Sequence, residues 1–486
     1  MAQVILIYPV TGLDLKGVSV WLPLAVLQVA ATIYRDYDTV IIDQRLDDHW
    51  EETLKQALTE ETLCVGISSM TGTQIRFGLK AAHVVRSVDP EVPIVWGGNH
   101  PTLVVDQTVL HPLVDIVVMG EGEQTFRRLV ETFETGGDVK TCPSIALKDG
   151  TGGVQRNGNG FDFVNPDTVP ELPYHLVDVE QYIGSKLLLG RRARSLPFIT
   201  SSGCPYACTF CCQPVLSNRR WRKMSTQVAI ERVMKLVETY KLDAIEFHDE
   251  EFFVNRKRGA EIAELIGGRF QWYVQTRMDD LLAMDLPRLE RNGLRCVQPG
   301  LETGSPRILK MIKKQETVEQ YRQANKALAK TGIQAIYNFM MGFPTETYDD
   351  LMGSVDLSLE LLDANPQAHV AGFYVYVPYP GAELYQQAMT AGFQPPMTLE
   401  GWSIFNRQHL DSPWIQDRLN VLENILMTSK LVDGSRLMNA FADRVLIRET
   451  IRLLGKFYRW QWRRHRFSAT PDVKLLRTVA KNLFGW

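Results

Sequence analysis

Two tracts of the chain alternate short apolar runs with amphipathic segments of helical period, and this alternation constrains the fold more than any other feature. In the first tract, runs at 4–8, 40–43, 63–68, 94–97 and 116–119 read as strands, with helices over 73–88 and 123–133. Strands joined by helical crossovers lie parallel under helices on both faces, which predicts a doubly wound, Rossmann-like α/β sheet over residues 1–135. In the second tract, six runs recur at 196–200, 244–248, 272–276, 295–301, 335–341 and 372–377. Six such repeats predict a partial, TIM-like (β/α)6 barrel over 196–385. Between the two, 136–195 reads as a linker with a hairpin of 144–148 against 153–156 and a proline-stiffened stretch, Val169-Pro170-Glu171-Leu172-Pro173-Tyr174. Residues 386–486 read as mostly helical, with helices at 419–431 and 440–462. In the second of these, Ile447, Ile451, Leu454 and Tyr458 share a face. A chain of 486 residues is more than one core usually serves, so several domains are expected.

In both sheets the polar and glycine residues gather just after the strands, where parallel sheets bind their ligands. The first sheet offers Ser68-Ser69-Met70-Thr71-Gly72-Thr73, Gly97-Gly98-Asn99-His100-Pro101-Thr102 and Gly120-Glu121-Gly122-Glu123. No G-x-G-x-x-G follows the first strand and no P-loop lysine is present, so dinucleotide and triphosphate readings have no support. These loops suit either another cofactor or a docking domain whose glycines make tight turns.

The strongest chemical signal follows the 196–200 run. Cys204, Cys208 and Cys211 stand at C-x₃-C-x₂-C spacing, and four of the seven cysteines fall in one nine-residue window. That usage describes a metal site in a reducing compartment rather than a disulfide framework. Thiolates so close on a loop can wrap a cluster. Tetrahedral zinc would need a fourth ligand, and the side chain of the adjacent Cys212 is expected to diverge into packing or onto the substrate cavity. Reduced cysteines without metal are the bland alternative. Cys64 and Cys296 sit in apolar strands and read as small core residues.

The cysteine spacing, with Phe210 before the last thiol, resembles the signature of the radical S-adenosylmethionine (SAM) enzymes. That resemblance implies a 4Fe-4S cluster on Cys204, Cys208 and Cys211, with the open iron binding the amino and carboxylate groups of SAM. It further implies that Asp249 and Glu250 receive the methionyl amino group, that Arg277 and Glu302 meet carboxylate and ribose, and that the Met341-Gly342 region meets adenine. These residue types suit those ligands; a plain salt-bridge partner or a helix cap is the alternative for each acid. The loops of the first tract resemble the cobalamin-binding domain that precedes the radical SAM domain in one large subfamily. By that resemblance Ser68, Ser69, Gly97, Gly98, His100, Thr102, Gly120 and Glu121 contact cobalamin. The D-x-H-x-x-G loop of another cobalamin family is absent, since His49 follows Asp47-Asp48 without the rest, so no histidine ligand on the lower face of cobalt is expected.

Together the two modules imply a cobalamin-dependent radical SAM enzyme. A 5′-deoxyadenosyl radical would abstract hydrogen from an unactivated carbon of a small or hydrophobic metabolite, and methylcobalamin would supply a methyl group. Rearrangement, cyclisation or oxidation without net methylation is the alternative within the family, and a non-catalytic cobalamin or iron-sulfur sensor is the alternative outside it. A methylthiotransferase usually brings a further cluster domain, against which the wide spacing of Cys64 and Cys142 argues. The expected partners are a small-molecule substrate and an electron donor such as flavodoxin or ferredoxin.

Net charge of −3 gives no reason to expect nucleic acid. No basic leader and no apolar run of membrane-spanning length occur, so a cytoplasmic protein is expected. From Arg444 onward there are eleven Lys and Arg against two acids. Basic and aromatic residues alternate in Phe457-Tyr458-Arg459-Trp460-Gln461-Trp462-Arg463-Arg464. That tail suits peripheral contact with an anionic membrane, an acidic substrate, or a clamp on the acidic body. Its aromatic content points to a hydrophobic or planar substrate. The basic cluster Arg191-Arg192-Ala193-Arg194 is either a solvated face or a phosphate or propionate contact.

Overall fold

The structure, a computed structural model, describes residues 1–12, 14, 20–185, 193–405, 411–433 and 445–467. Arg191, Arg192, residues 440–444 and the tail beyond 467 lie outside the described residues. The first sheet has seven strands in the order β2-β1-β3-β4-β5-β6-β7. They are β1 (Gln3–Tyr8), β2 (Asp38–Asp43), β3 (Thr62–Ser68), β4 (Ile94–Gly97), β5 (Ile116–Val118), β6 (Ile145–Lys148) and β7 (Val154–Asn157). The first five are parallel, and the order reverses between β1 and β3, which creates the crevice where such sheets bind ligands. The hairpin expected in the connection forms, but it is part of this sheet. β6 pairs antiparallel with β5, burying Ile145, Ala146 and Leu147, so the sheet continues to Asn157.

The second sheet runs β16-β15-β14-β13-β12-β9-β8. Its strands are β8 (Gly184–Ser185), β9 (Arg194–Phe198), β12 (Ala244–Phe247), β13 (Gln271–Thr276), β14 (Leu294–Glu302), β15 (Gln334–Met341) and β16 (Ala368–Val375), with β10 (Ser201–Ser202) and β11 (Arg222–Lys223) forming a separate two-stranded ribbon. All but β8 are parallel, giving the six-stranded partial barrel that the repeats predict. The intervening helices start where side chains can satisfy the free N–H groups of the first turn. Ser225, Asn255 and Ser305 accept from Val228, Arg258 and Ile308, while Thr317 with Gln320 and Thr347 with Asp350 form capping boxes.

The C-terminal region closes back on both sheets. Trp402 packs 5.7 Å from His100 and donates to Gln107 at 2.6 Å, and His111 meets Glu400 at 2.9 Å. The helix Val445–Trp462 docks on the helix Leu419–Asp433 and on β16. Trp462 lies edge-on to Phe373 and donates to Thr428 at 2.9 Å, while Arg463 pairs with Asp363 at 2.7 Å. One face of the basic tail therefore clamps the body. Arg194, the described arginine of its cluster, pairs with Glu180 at 2.8 Å. Among the described residues, no helix is long and apolar enough to cross a membrane.

Candidate cofactor site

The cysteine loop is fixed before any ligand is considered. Gly203 opens it at φ +83°, and a Cβ there would stand 2.2 Å from the Arg220 carbonyl oxygen, so only glycine fits. Thr209 ties the middle of the loop to the body, donating its N–H to Ile312 at 3.0 Å and accepting from Leu384 at 2.7 Å. The Arg277 guanidinium lies 4.0 Å from the Tyr206 ring. Cys204, Cys208 and Cys211 are half-buried, free of disulfides and close enough to disfavour one another's ionisation. Burial is the main cause of their raised pKa values, with Cys204 pushed up to about 11. The Gln213 N–H points at the Cys211 sulfur at 3.4 Å.

Among the described residues, no three His, Cys, Asp or Glu side chains close on a single metal ion. A cluster takes one thiolate at each iron corner, and this loop supplies three cysteines for that role. Cys212 begins the next helix, Gln213–Leu216, as its N-cap.

The residues expected around SAM divide into two groups. Glu250 lines a large cavity, where Gln213 donates to it at 3.0 Å, and the enclosing walls push its carboxyl up to about 7. Asp249, its neighbour, is fully buried and accepts from the Thr200 N–H and hydroxyl and from the Ser201 hydroxyl at 2.6–2.7 Å. It holds the segment that leads into the cysteine loop. Arg277 is buried too, its N–H groups taken by Asp279 at 2.9 Å and by the Lys314 carbonyl at 2.9 Å. Glu302 ends β14 at φ +64° and accepts from Lys314 at 3.1 Å, close beneath Cys208. Met341 is buried at the end of β15, and its carbonyl accepts from Tyr376 at 2.8 Å. The next residue, Gly342, donates to Glu346 at 2.7 Å and accepts from Trp414 at 2.9 Å.

A cavity of about 1030 Å³ lies between the two sheets, where the carboxyl ends of both sets of strands converge. Ser68, Gly97, Gly98, Gly120, Glu121 and Glu250 are on its wall. Ser69, His100 and Thr102 are not; they brace the loops that are. Thr102 accepts from the Gly120 N–H at 2.9 Å and donates to the Gly98 carbonyl at 2.8 Å. The Ser69 backbone bonds Gly97 and His100. Buried His100 has its pKa lowered to about 4 by desolvation and turns Nδ1 to Thr71 at 2.9 Å. Gly98, at φ +103°, and Gly120, at φ +77°, leave no room for a Cβ against Ser69 and Gly160. Glu121 spans the cavity mouth, pairing with Arg222 and accepting from Ser202 at 3.3 Å.

The wall also holds residues that carry no local sequence signal. Glu123, pushed up to about 7 by burial, faces the cavity, and the stretch read as linker supplies Val169 to His175 as a wall. Among the described residues, His175 is the one histidine on that wall, edge-on to Tyr34. Pocket volumes of about 300–1,000 Å³ suit drug-sized ligands, so this cavity suits a larger one. Leu6, Gly66, Val118 and Phe126 give the cavity an apolar wall on the first sheet. A Cβ on Gly66 would meet Leu6 at 2.8 Å. Apolar and polar wall residues together suit cobalamin, an amide-fringed macrocycle carrying a flat aromatic base on a tail.

A second set of missed residues lines the inner face of the barrel. Tyr273, Cys296, Ile336 and Ala371 form a small core of their own, apart from the core against the helices. Glu246 is in register with Tyr273 and shares that face, as do His248, Gln275, Gln298 and Asn338 two residues further along their strands. Gln298 accepts from Tyr273 and donates to Asn338 at 3.2 Å. Glu246 accepts from Ser195 at 2.7 Å and from the indole of Trp21 at 3.1 Å, with His248 Nε2 3.6 Å away. Trp21 reaches in from the first tract, for which no sequence signal existed.

Residues 11–130 match the B12 binding domain family, and residues 198–358 match the Radical SAM superfamily. The chain belongs to the cobalamin-binding radical SAM enzymes. Its cofactors are accordingly a 4Fe-4S cluster, SAM and cobalamin. It resembles an uncharacterized methyltransferase of Pyrococcus horikoshii, 29% identical over 398 residues, 80% of this chain and 83% of that protein. An anaerobic magnesium-protoporphyrin IX monomethyl ester cyclase of Rubrivivax gelatinosus is 26% identical over 365 residues, 72% of this chain and 63% of the cyclase. In fold the chain is similar to the apo form of the cobalamin-dependent S-adenosylmethionine radical enzyme OxsB, with a TM-score of 0.71 at 16% identity, over 99% of this chain and 75% of that one.

Proposed function

We propose that this radical SAM enzyme is a C-methyltransferase acting on an unactivated carbon of a small or hydrophobic metabolite. The observation that carries the reading is a shared wall. The segment from Thr200 to Gln213 holds the three thiols, while its ends border the interdomain cavity through Ser201, Ser202 and the Gln213–Glu250 bond. Cluster and cobalamin chamber are thus adjacent. When bound, the cluster and SAM supply a 5′-deoxyadenosyl radical, and methylcobalamin supplies the methyl group.

The chain's own part is to bind, orient and exclude water. Cys204, Cys208 and Cys211 hold the cluster, and Arg277 keeps their loop in place through Tyr206. Ser68, Gly97, Gly98 and Gly120 let the corrin approach backbone, while Ser69, His100 and Thr102 set those loops. Glu250, Glu302 and the Met341-Gly342 turn border the SAM position. Asp249 acts through Thr200 and Ser201 rather than by touching SAM. The substrate lies along the barrel's inner row of His248, Gln275, Gln298 and Asn338, whose amides and imidazole suit a planar or hydrophobic molecule with a hydrogen-bonding edge. An external one-electron donor, such as flavodoxin or ferredoxin, reduces the cluster. Seven cysteines with no disulfide between them suit a reducing cytoplasm.

Incubating the reduced, fully loaded protein with SAM carrying a deuterated methyl group tests this reading. Methyl transfer predicts label in the extracted cobalamin; cobalamin that stays unlabelled contradicts it. The cyclase relative favours a second reading, cyclisation without net methylation, in which 5′-deoxyadenosine forms and no methyl label reaches product.

A further inference from the structure

The helix Val445–Trp462 buries one face and leaves a second apolar stripe uncovered. Ile451, Tyr458 and Trp462 are buried against the body, whereas Leu453, Phe457 and Trp460 are 61%, 44% and 43% exposed. Steps of four and three residues place those three on one stripe. Phe457 and Trp460 stack at 6.3 Å. Tyr348, 43% exposed, donates its hydroxyl to the carbonyl of His465, just beyond the helix, at 3.4 Å. Among the described residues, Tyr348, Phe457 and Trp460 are the only exposed Phe, Tyr or Trp side chains, and two of the three share this stripe. Scattered exposed apolar residues need no explanation, but a contiguous aromatic stripe marks a docking surface.

Charge identifies the occupant. Arg459 and Arg463 are turned to Asp363, and Arg452 to Glu449. Lys456, Arg464 and Arg466 have no acidic partner among the described residues and stand on the exposed side. The guanidinium groups of Arg464 and Arg466 lie 4.6 and 5.3 Å from the Trp460 ring. Trp and Tyr flanked by Lys and Arg, on a helix with an apolar stripe, are the composition that settles at the boundary between headgroups and acyl chains.

We propose that the outer face of this helix lies in the plane of an anionic phospholipid surface. Leu453, Phe457 and Trp460 enter the acyl boundary, and Lys456, Arg464 and Arg466 meet phosphates. The proposal is independent of which reaction the barrel performs.

Flotation of the full-length, cofactor-loaded protein with vesicles tests it, using phosphatidylcholine alone and phosphatidylcholine mixed with phosphatidylglycerol. The wild type floats with the mixed vesicles and roughly tenfold less with phosphatidylcholine alone. Phe457→Glu with Trp460→Glu abolishes flotation, and Lys456→Glu with Arg464→Glu reduces it to the phosphatidylcholine level. All these side chains are exposed, so melting temperature and bound cobalamin stay at wild-type values. Three outcomes overturn the proposal: a wild type that stays with the unbound fraction in both mixtures, one that floats equally with both, or an aromatic variant that floats like wild type. The charge pair keeps the test decisive if the aromatic pair lowers the melting temperature.

Discussion

Glu121 was expected to contact cobalamin, yet the structure gives its carboxylate two other tasks. One oxygen pairs with Arg222 and accepts from Ser202, and the other accepts the Val164 N–H at 2.9 Å. It therefore ties the first sheet, the connection and the barrel together at the cavity mouth. The side chains are 22% and 16% exposed, between the limits of a buried and a surface pair. Breaking a buried pair costs about 3–5 kcal/mol and an exposed one about 0–1, so Glu121→Ala should cost about 2 kcal/mol. Glu121→Gln keeps an acceptor for Val164 and should cost less. In a double-mutant cycle with Arg222→Ala, read by urea unfolding of the apo-protein, the coupling should be about 1–2 kcal/mol. Both single variants should weaken hydroxocobalamin binding alike, since both loosen the same wall. A coupling below about 0.3 kcal/mol, or cobalamin affinity lost in Glu121→Ala and kept in Arg222→Ala, would refute the tie and restore Glu121 as a direct contact.

Other expectations follow from the same geometry. Gly203→Ala forces a side chain into a left-handed position costing about 1–2 kcal/mol and against the Arg220 carbonyl, so iron bound per chain after anaerobic reconstitution should fall well below wild type. Any of Cys204→Ala, Cys208→Ala or Cys211→Ala should abolish SAM cleavage while cobalamin remains bound, whereas Cys212→Ala should leave the cluster spectrum unchanged. The carboxyl of Glu123 is raised from 4.5 to about 7, so between those values the folded chain holds a proton that the unfolded chain has released. Its contribution is complete below pH 4.5 and lost as pH rises through 7. Unfolding of Glu123→Gln across that window should therefore lose less stability with rising pH than wild type, and parallel profiles would contradict the assignment.

The strands and long helices were legible because periods of two and 3.6 survive in the sequence; 73–88 and 94–97 match Thr73–Val88 and Ile94–Gly97 residue for residue. The cysteine loop was legible because its ligands are local. What local pattern could not convey was who answers whom across the fold. Nothing in the sequence says that two hydroxyls from Thr200 and Ser201 converge on Asp249, or that Arg277 turns to the carbonyl of Lys314. Proline made 169–174 read as linker, yet the folded stretch forms part of the cavity wall. Trp21 and Glu246 lie 225 residues apart, and only the folded chain pairs them.

SAM cleavage at the cysteine loop and cobalamin in the interdomain cavity serve one reaction across the wall they share. The most direct test is the SAM product profile of the anaerobically reconstituted protein, loaded with cluster and cobalamin and reduced by flavodoxin. Both 5′-deoxyadenosine and S-adenosylhomocysteine are expected, the first lost in Cys204→Ala. A preparation that holds both cofactors and its substrate and forms 5′-deoxyadenosine without any S-adenosylhomocysteine would contradict methyl transfer.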